Sequence, residues 1–144
     1  MTDAYDESNK HHREIRLGIE RGNGISNMVP RKVALDAMRK AGFVIEHEED
    51  LAEREDKKPW YAPLAGDLSG AQSLMDFLGY VRISKIGRFG IGYLLGALET
   101  LRLAPVGTAE TAKELSDGGD ALVAGGKEKL FTPMYLMIAR KPDV

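Results

Sequence analysis

The sequence predicts an α/β fold, in which helices pack around a small number of strands. A helical pattern that stops at Gly42 is followed by a short apolar segment, residues 43–45. A helix that ends at glycine before a strand is half of the connection expected beside a parallel sheet. Residues 134–139 are continuously apolar, as in a strand buried on both faces. The length of 144 residues suits one compact unit with a single core.

Two helices are predicted before Gly42. The first is charged and spans residues 7–19, and the glycines Gly22 and Gly24 end it. The second begins near Pro30, because proline suits a first helical turn. Its apolar side chains fall on one face and are expected to be buried: Val33, Ala37, Met38 and Ala41.

A charged segment and an aromatic segment follow the predicted strand. Residues 46–58 are dense in charge and are predicted to form a solvated loop. In the segment 59–64, two prolines exclude a regular helix and predict an extended backbone that holds Trp60 and Tyr61. Two large rings held in this way are either anchored in a core or gate a site.

The next two predicted helices are apolar. Ser69 is a plausible cap for a helix that packs in the core through Leu74, Met75, Phe77 and Leu78. Residues 83–101 form the most apolar helix, although glycine lowers its stability at four positions, Gly87, Gly90, Gly92 and Gly96. Glycine permits close approach of a flat, rigid ligand, and tight helix packing is the alternative explanation.

The remaining elements are a short helix, a turn and the last strand. A capping box at Thr111 and Glu114 predicts a helix that ends near Gly118 and Gly119. A turn is predicted at residues 125–126, before the strand at 134–139.

The composition excludes several classes of partner and site. The chain has 20 Lys+Arg against 22 Asp+Glu, so it carries no electrostatic footprint for nucleic acid. It has no cysteine, which excludes disulfides and thiolate-bound metals. His11 and His12 face different directions on a helix, and no metal site is expected. The polar residues 1–21 cannot act as a signal peptide, and no run approaches the ~20 apolar residues that span a bilayer, so a soluble or peripheral protein is expected.

A series of motifs resembles the sterol 24-C-methyltransferases. The first is Tyr5-Asp6-x-x-Asn9-x-x-His12-Arg13-x-Ile15, continued by Ile19-Glu20-x-Gly22-x-Gly24-Ile25. The later ones, in the same order as in that family, are Asp50-Leu51-Ala52, Pro59-Trp60-Tyr61-x-Pro63-Leu64-x-Gly66, Gly87-Arg88, Leu103-Ala104-Pro105-x-Gly107, Leu122-Val123-Ala124-Gly125-Gly126-Lys127 and Phe131-Thr132-Pro133-Met134. Two positions depart from the family: Gly18 replaces a larger residue, and Asn23 stands where an Asp is common.

The resemblance implies the C-terminal part of a class I, Rossmann-like methyltransferase sheet joined to a largely helical sterol-binding domain. Residues 1–58 would belong to the methyltransferase fold, and residues 59–144 to the sterol methyltransferase C-terminal domain. The last strand, about residues 132–140, would return to the sheet. No strand followed by a G-x-G turn and a helix occurs in the sequence, so the main site for S-adenosyl-L-methionine is expected upstream. The chain alone is therefore expected to be inactive.

The resemblance also implies a reaction and its residues. The methyl group of S-adenosyl-L-methionine moves to the side-chain double bond of a sterol, without a metal, and a carbocation forms and then loses a proton. Aromatic faces stabilise cations, so Trp60, Tyr61, Phe131 and Tyr135 are candidates, with ordinary core packing as the alternative for each. Tyr5 and Gly90 complete the predicted sterol site. The expected base is Asp6 or His12, with Glu20 third, although Asp6 is equally suited to capping a helix.

The implied partners are a sterol and further copies of the enzyme. Peripheral association with the endoplasmic reticulum membrane is expected, inside the cell. The alternative is a non-catalytic domain that binds a sterol, another lipid or a partner. Titration with S-adenosyl-L-methionine distinguishes the two, since only a competent enzyme binds the cofactor.

Overall fold

The computed structural model describes residues 1–54 and 58–142. These residues form five helices and two strands, in the order α1 Lys10–Asn23, α2 Arg31–Lys40, β1 Val44–Asp50, α3 Leu74–Ile83, α4 Lys85–Thr100, α5 Thr108–Lys127 and β2 Tyr135–Arg140. A mixture of helices with a small sheet agrees with the predicted α/β class. The positions of α2, β1 and β2 along the chain agree with the sequence patterns to within a few residues.

The sheet has two antiparallel strands. Val44 pairs with Arg140 and Asp50 pairs with Tyr135, with an irregularity between Ile45 and His47. The parallel neighbour expected for β1 is not found among the described residues. The predicted burial of the last strand on both faces is also wrong for this chain, since the Ile138 side chain is 46% exposed. Its one neighbouring strand within residues 1–54 and 58–142 is β1, and no helix covers both faces.

The charged segment 46–58 is not entirely a loop, as the sequence suggested. Its first five residues extend β1, because their backbone groups bond to β2. The side chains of Glu46, His47 and Glu48 are exposed, and those of Glu49 and Asp50 are half-buried. Glu46 meets Arg140 across the ladder, with its Oε1 2.9 Å from Nε. Glu49 accepts two hydrogen bonds from Arg54, at 2.7 and 2.8 Å. Residues 55–57 of this segment lie outside the described residues.

The core lies where α1 crosses α5. Ile15 and Ile19 of α1 pack with Met1 and Leu130, and Phe131 packs at the edge of this cluster. The helix begins at an Asn9 cap, whose side chain accepts the His11 N–H at 2.9 Å. It ends at Gly24, whose φ of 62° permits the left-handed cap. Gly22 is therefore inside the helix rather than at its end.

Helix α5 is one continuous helix of 20 residues, so the predicted short helix and the turn at 125–126 are both wrong. Gly118, Gly119, Gly125 and Gly126 lie inside this helix, although glycine often ends one. At each of them an added Cβ would come very close to another part of the chain. A Cβ added to Gly118 would lie 2.5 Å from the Cα of Gly22 in α1. Gly18 faces α5 similarly, since its Cβ would lie 2.7 Å from the Cβ of Ala121. A side chain at position 18 would therefore collide with Ala121 in this packing.

The start of α5 also differs from the capping box predicted at Thr111. The helix begins at Thr108, and its cap residue Gly107 has no side chain to contribute. Glu99 of α4 supplies the acceptors instead, at 2.9 Å from the Gly107 N–H and 2.8 Å from the Ala109 N–H. These two backbone hydrogen bonds lower the pKa of Glu99. A carboxylate from a neighbouring helix thus caps α5.

The aromatic segment 59–64 is folded into turns rather than extended. Pro59 and Pro63 accept hydrogen bonds from the N–H groups of Ala62 and Gly66, at 3.0 and 3.1 Å. Ala65 bonds back to the Tyr61 carbonyl at 3.0 Å. None of these bonds needs a proline N–H, which is why two prolines do not prevent them.

Two serines set the limits of α3 and α4. Ser73, not Ser69, caps α3 by accepting the Asp76 N–H at 3.1 Å. The predicted helix 83–101 corresponds to α4, which begins after Ser84, and Ile83 is instead the last residue of α3. Ser84 caps α4 by accepting the Gly87 N–H at 3.3 Å. Gly87 is required at this corner, because a Cβ there would lie 2.6 Å from the Arg82 carbonyl oxygen.

Several apolar faces that the sequence placed in the core are exposed. The Met75 side chain of α3 is 76% exposed, and Val33 of α2 is 50% exposed, whereas Leu35 is the buried residue of α2. Among the described residues, no element packs against these faces. Every helix within those residues is too short or too polar to cross a bilayer.

Candidate functional site

A polar cluster runs along one stripe of α1. His12, Arg16 and Glu20 are four residues apart, so their side chains lie above one another on the helix. The ring of Tyr5 lies 6.2 Å from the ring of His12, and the Arg16 guanidinium carbon lies 5.7 Å from the Tyr5 ring centroid. The structure thus brings together three residues predicted from the sequence and adds Arg16.

Glu20 is the buried member of this cluster, with 8% of the residue exposed. Its Oε1 accepts the Met28 N–H at 2.7 Å and lies 3.5 Å from Arg16 Nε. The Arg16 contact is an ion pair but is not aligned as a hydrogen bond. Tyr5 Oη and Arg16 Nε are both buried without a hydrogen-bond partner in the described part of the chain. Because buried polar atoms are normally paired, this cluster can accommodate a further polar group.

Asp6 has a local structural role. Its Oδ1 accepts hydrogen bonds from the Ser8 hydroxyl at 2.7 Å and from the Ser8 N–H at 2.8 Å. These bonds lower the pKa of the exposed Asp6 carboxyl. The predicted helix cap at Asp6 is therefore wrong: Asp6 closes the turn before α1, and Asn9 caps the helix itself.

The ring of His12 is fixed by the backbone of Asp6. The Asp6 N–H donates to His12 Nδ1 at 3.0 Å, so the neutral ring carries its proton on Nε2. A proton taken up at Nδ1 would break this hydrogen bond. His12 is therefore coupled to the Asp6 turn, and the two predicted bases form one local structure.

Three of the predicted aromatic residues form one cluster. The ring of Trp60 meets the rings of Tyr61 and Phe131 edge to face, at centroid distances of 5.5 and 5.9 Å. The cluster lies on Gly126 of α5, where an added Cβ would be 2.9 Å from Trp60 Cζ2. The absence of a side chain at this position lets the rings reach the helix backbone.

An open cavity of about 380 Å³ lies beside this aromatic cluster. Its lining includes the three rings together with Asp50, Lys129 and Thr132. Asp50 Oδ1 accepts the Thr132 hydroxyl at 2.6 Å and the Ala52 N–H at 3.0 Å. Asp50 was not predicted as a site residue, and its position in the Asp50-Leu51-Ala52 motif is the signal that could have identified it.

Tyr135 lies apart from the aromatic cluster. It stands on β2, and the Arg31 guanidinium carbon lies 5.3 Å from its ring centroid. Burial, followed by the nearby Glu48 carboxylate, raises the pKa of the Tyr135 hydroxyl. Among the described residues, Tyr135 makes no ring contact with Trp60, so the structure does not bring these two predicted residues together.

A second groove, of about 700 Å³, separates α4 from α5. Phe89 and Tyr93 form one wall, with their ring centroids 4.8 Å apart. Gly92 and Gly96 lie in its lining, and Gly90 does not. A Cβ added to Gly90 or to Gly92 would meet no atom within 4 Å, so tight packing explains glycine at neither position. Of the two, Gly92 is the position where a side chain would enter the groove.

Arg88 is a partly buried cation that the sequence analysis did not identify as a site residue. Its side chain is 12% exposed and forms an ion pair with Asp120 of α5. It also donates to the carbonyls of Ile83 at 2.6 Å and Leu64 at 3.3 Å. Arg88 belongs to the Gly87-Arg88 motif, which is the signal that could have identified it. Its partners Leu64 and Asp120 lie far away along the chain, so the motif does not indicate its contacts.

A metal centre needs several His, Asp or Glu side chains close together. Within residues 1–54 and 58–142, no three of these side chains lie close enough together to hold an ion.

Comparisons with known proteins place this chain beside one enzyme family. Residues 78–143 match the family model described as sterol methyltransferase C-terminal. A sterol 24-C-methyltransferase of Gibberella zeae is 55% identical over 142 residues, which are 99% of this chain and 37% of the relative. A sterol 24-C-methyltransferase of Neurospora crassa is 54% identical over 142 residues, and that of Yarrowia lipolytica is 50% identical over 143 residues. Each alignment covers 99% of this chain and 38% of the relative. No solved structure matches the chain.

Proposed function

Since this chain is related over nearly its whole length to the C-terminal portion of sterol 24-C-methyltransferases, we propose that it forms that portion of such an enzyme. The complete enzyme would transfer a methyl group from S-adenosyl-L-methionine to the side-chain double bond of a sterol. The observation that carries the proposal is 55% identity over 142 residues. The chain spans about 38% of the length of these relatives, so the activity belongs to a longer protein.

The exposed apolar side chains on and beside the two-stranded sheet support this proposal. Val44 and Ile138 leave about half of their side chains in solvent, and Phe43 beside them is also exposed. A two-stranded sheet is marginally stable by itself. Further strands of a methyltransferase sheet would cover these side chains. In this proposal residues 1–58 belong to the methyltransferase fold, and residues 59–144 form the C-terminal domain. The last strand of that domain, β2, returns to the sheet.

The cofactor would be bound mainly by the upstream part of the enzyme. No strand in this sequence leads through a G-x-G turn into a helix, which is the arrangement that holds such a nucleoside. The Tyr5, Arg16 and Glu20 cluster contains buried polar atoms without partners, so it is the part of this chain best suited to meet a polar cofactor or substrate group.

The proposed chemistry needs an apolar site with one base. The π electrons of the sterol attack the methyl carbon, the bond from that carbon to sulfur breaks, and its electron pair stays on sulfur. A carbocation is left, and after a hydride shift a base removes a proton and the double bond forms again. Trp60, Tyr61 and Phe131 line the cavity, and the π faces of such rings can stabilise positive charge without capturing it. The base would be Asp6, His12 or Glu20.

The groove between α4 and α5 would contribute to sterol binding. Two aromatic rings and a glycine surface suit the flat ring system of a sterol better than a flexible chain. The exposed apolar side chains of α3 and α4 would support peripheral association with the endoplasmic reticulum membrane or contact between copies of the enzyme. Both the localisation and a homo-oligomer are part of the proposal.

The test is methyl transfer by the full-length enzyme that contains this chain. Radiolabelled methyl should pass from S-adenosyl-L-methionine to a sterol with a side-chain double bond, and not to the same sterol with that bond reduced. The isolated chain should give no transfer, because the main cofactor motif is upstream. Transfer by the isolated chain, or none by the full-length enzyme with any unsaturated sterol, would refute the proposal.

The alternative of a non-catalytic lipid-binding domain is not favoured, because the relatives reported above are named as methyltransferases. Titration of the full-length protein with S-adenosyl-L-methionine separates the two. A sterol-binding domain without catalysis would leave the cofactor unbound at every concentration.

A further inference from the structure

The guanidinium of Arg88 joins three separate parts of the fold. It pairs with Asp120 of α5 and donates to the Ile83 carbonyl at the end of α3. It also donates to the carbonyl of Leu64, which belongs to the turn 60–66 that carries Trp60 and Tyr61. In the described part of the chain, this is the one hydrogen bond that links the turn 60–66 to a helix.

The surroundings of Arg88 are shaped for a guanidinium. Gly119 of α5 leaves room for the group, because an added Cβ would lie 3.0 Å from Arg88 Cζ and 3.1 Å from Nε. Ser116 Oγ lies 3.4 Å from Nε. The planar fork donates in several directions at once, whereas the compact ammonium of lysine does not reproduce that geometry. Lys85 also contacts Asp120, at 3.2 Å, but its side chain is exposed.

We infer that Arg88 is a positioning residue, which holds the turn 60–66 and therefore sets where Trp60 and Tyr61 stand relative to α5. Arg88 also lines the groove between α4 and α5, beside Phe89. It thus lies between the two places where a sterol would be held, and it joins the aromatic cluster to the helix pair that forms the groove. An effect of Arg88 on methyl transfer rests on the proposed function, but its effect on the position of Trp60 and Tyr61 does not.

Trp60 provides a direct readout, because it is the one tryptophan among these 144 residues. The full-length enzyme is labelled with 5-fluorotryptophan, and the Trp60 resonance is assigned in the fluorine NMR spectrum by its loss in Trp60→Phe. Arg88→Lys keeps the positive charge but removes the planar guanidinium with its several N–H donors. Lys85→Met is the matched control, since it removes the exposed partner of Asp120 and leaves Arg88 in place.

In Arg88→Lys, the Trp60 resonance should move and kcat should fall by about tenfold, while the KM for the sterol changes less, because misplaced rings act mainly on the transition state. Lys85→Met should leave the Trp60 resonance and kcat unchanged. An unmoved Trp60 resonance in folded Arg88→Lys would overturn the inference.

Asp120→Asn serves if Arg88→Lys does not fold, because it weakens the same attachment without removing the guanidinium. Its Trp60 resonance should move from the wild-type position, and coincidence with the wild-type resonance would overturn the inference. If the Trp60 resonance moves but the wild-type enzyme transfers no methyl to any sterol, the proposed function fails and the positioning role stands.

Discussion

Gly22 of α1 and Gly118 of α5 lie in direct backbone contact, with an added Cβ on Gly118 only 2.5 Å from the Cα of Gly22. The contact lets the two helices approach closely beside the buried side chains of Ile15 and Ile19. A helix interior normally loses about 0.5–1 kcal/mol when alanine is replaced by glycine, so packing must offset that cost here.

Gly118→Ala should therefore destabilise the protein by about 1–3 kcal/mol, because the added methyl group forces the helices apart. Gly79→Ala in α3 is the control, since its Cβ would meet no atom within 4 Å. That substitution should leave stability unchanged or raise it slightly. Urea denaturation of both variants measures the difference. Equal effects of the two alanines would contradict the close contact.

Glu99→Gln should weaken the start of α5, because the carboxylate that accepts two backbone N–H groups loses its charge. Hydrogen bonding lowers the pKa of Glu99 in the folded protein, so its contribution is present at neutral pH and is lost as the pH falls through that lowered value. The difference in unfolding free energy between wild type and Glu99→Gln should therefore shrink on acidification from about pH 6 to pH 3.

The control for this pH dependence is Glu110→Gln, which changes an acidic residue in the first turn of α5 without touching either hydrogen bond. Its effect should be smaller at every pH. A difference for Glu99→Gln that stays constant down to pH 3 would argue against the capping role.

Gly92→Leu should raise the Kd of the full-length enzyme for sterol, since the new side chain enters the groove between α4 and α5. Gly90→Leu should leave that Kd unchanged, because Gly90 does not line the groove and its new side chain would meet no other residue. Replacing an exposed helical glycine by leucine also favours the helix, so neither variant should lower the melting temperature. If both variants bind sterol like wild type, the groove is not the sterol site.

Glu20→Gln should lower the turnover of the full-length enzyme more than it weakens sterol binding, if Glu20 is the base. The amide can still accept the Met28 N–H that the carboxylate accepts now, so the fold should persist. Asp6→Asn should change turnover little on this view, because an amide oxygen can also accept the Ser8 hydrogen bonds. The opposite order of effects, after correction for the folded fraction, would assign the base to the Asp6 and His12 pair.

The elements that the sequence predicted well are those with local signals. Helix α2 begins directly after Pro30, and β2 coincides with the apolar run 134–139, so each was predicted to within a few residues. Helix α5 was missed because a glycine pair normally ends a helix, while Gly22, far away along the chain, decides that Gly118 stays inside one. The extent of β1 was missed because its charged residues pair with β2 only through the backbone.

The candidate site was predicted in part for the same reason. His12 and Glu20 come from one helical stripe and one motif, and Trp60 and Tyr61 are neighbours in sequence. The roles of Arg88 and Glu99 depend on partners in other elements, such as Asp120 and Gly107, which no spacing along the chain indicates. Tyr135 was grouped with the other aromatics by type, and only its place on β2 separates it from them.

β1 and β2 pair in space, but α3, α4 and α5 lie between them along the chain. On a ribosome that adds about 5–20 residues per second, β1 emerges several seconds before its partner, which follows after roughly 85 residues. During that interval β1 is an unpaired strand, open to pairing with strands of other chains. Its side chains include Glu46, Glu48, Glu49 and Asp50, and like charges of this kind discourage such pairing. Until β2 is made, these acidic side chains should therefore disfavour pairing of β1 with another chain, and Glu46 afterwards pairs with Arg140.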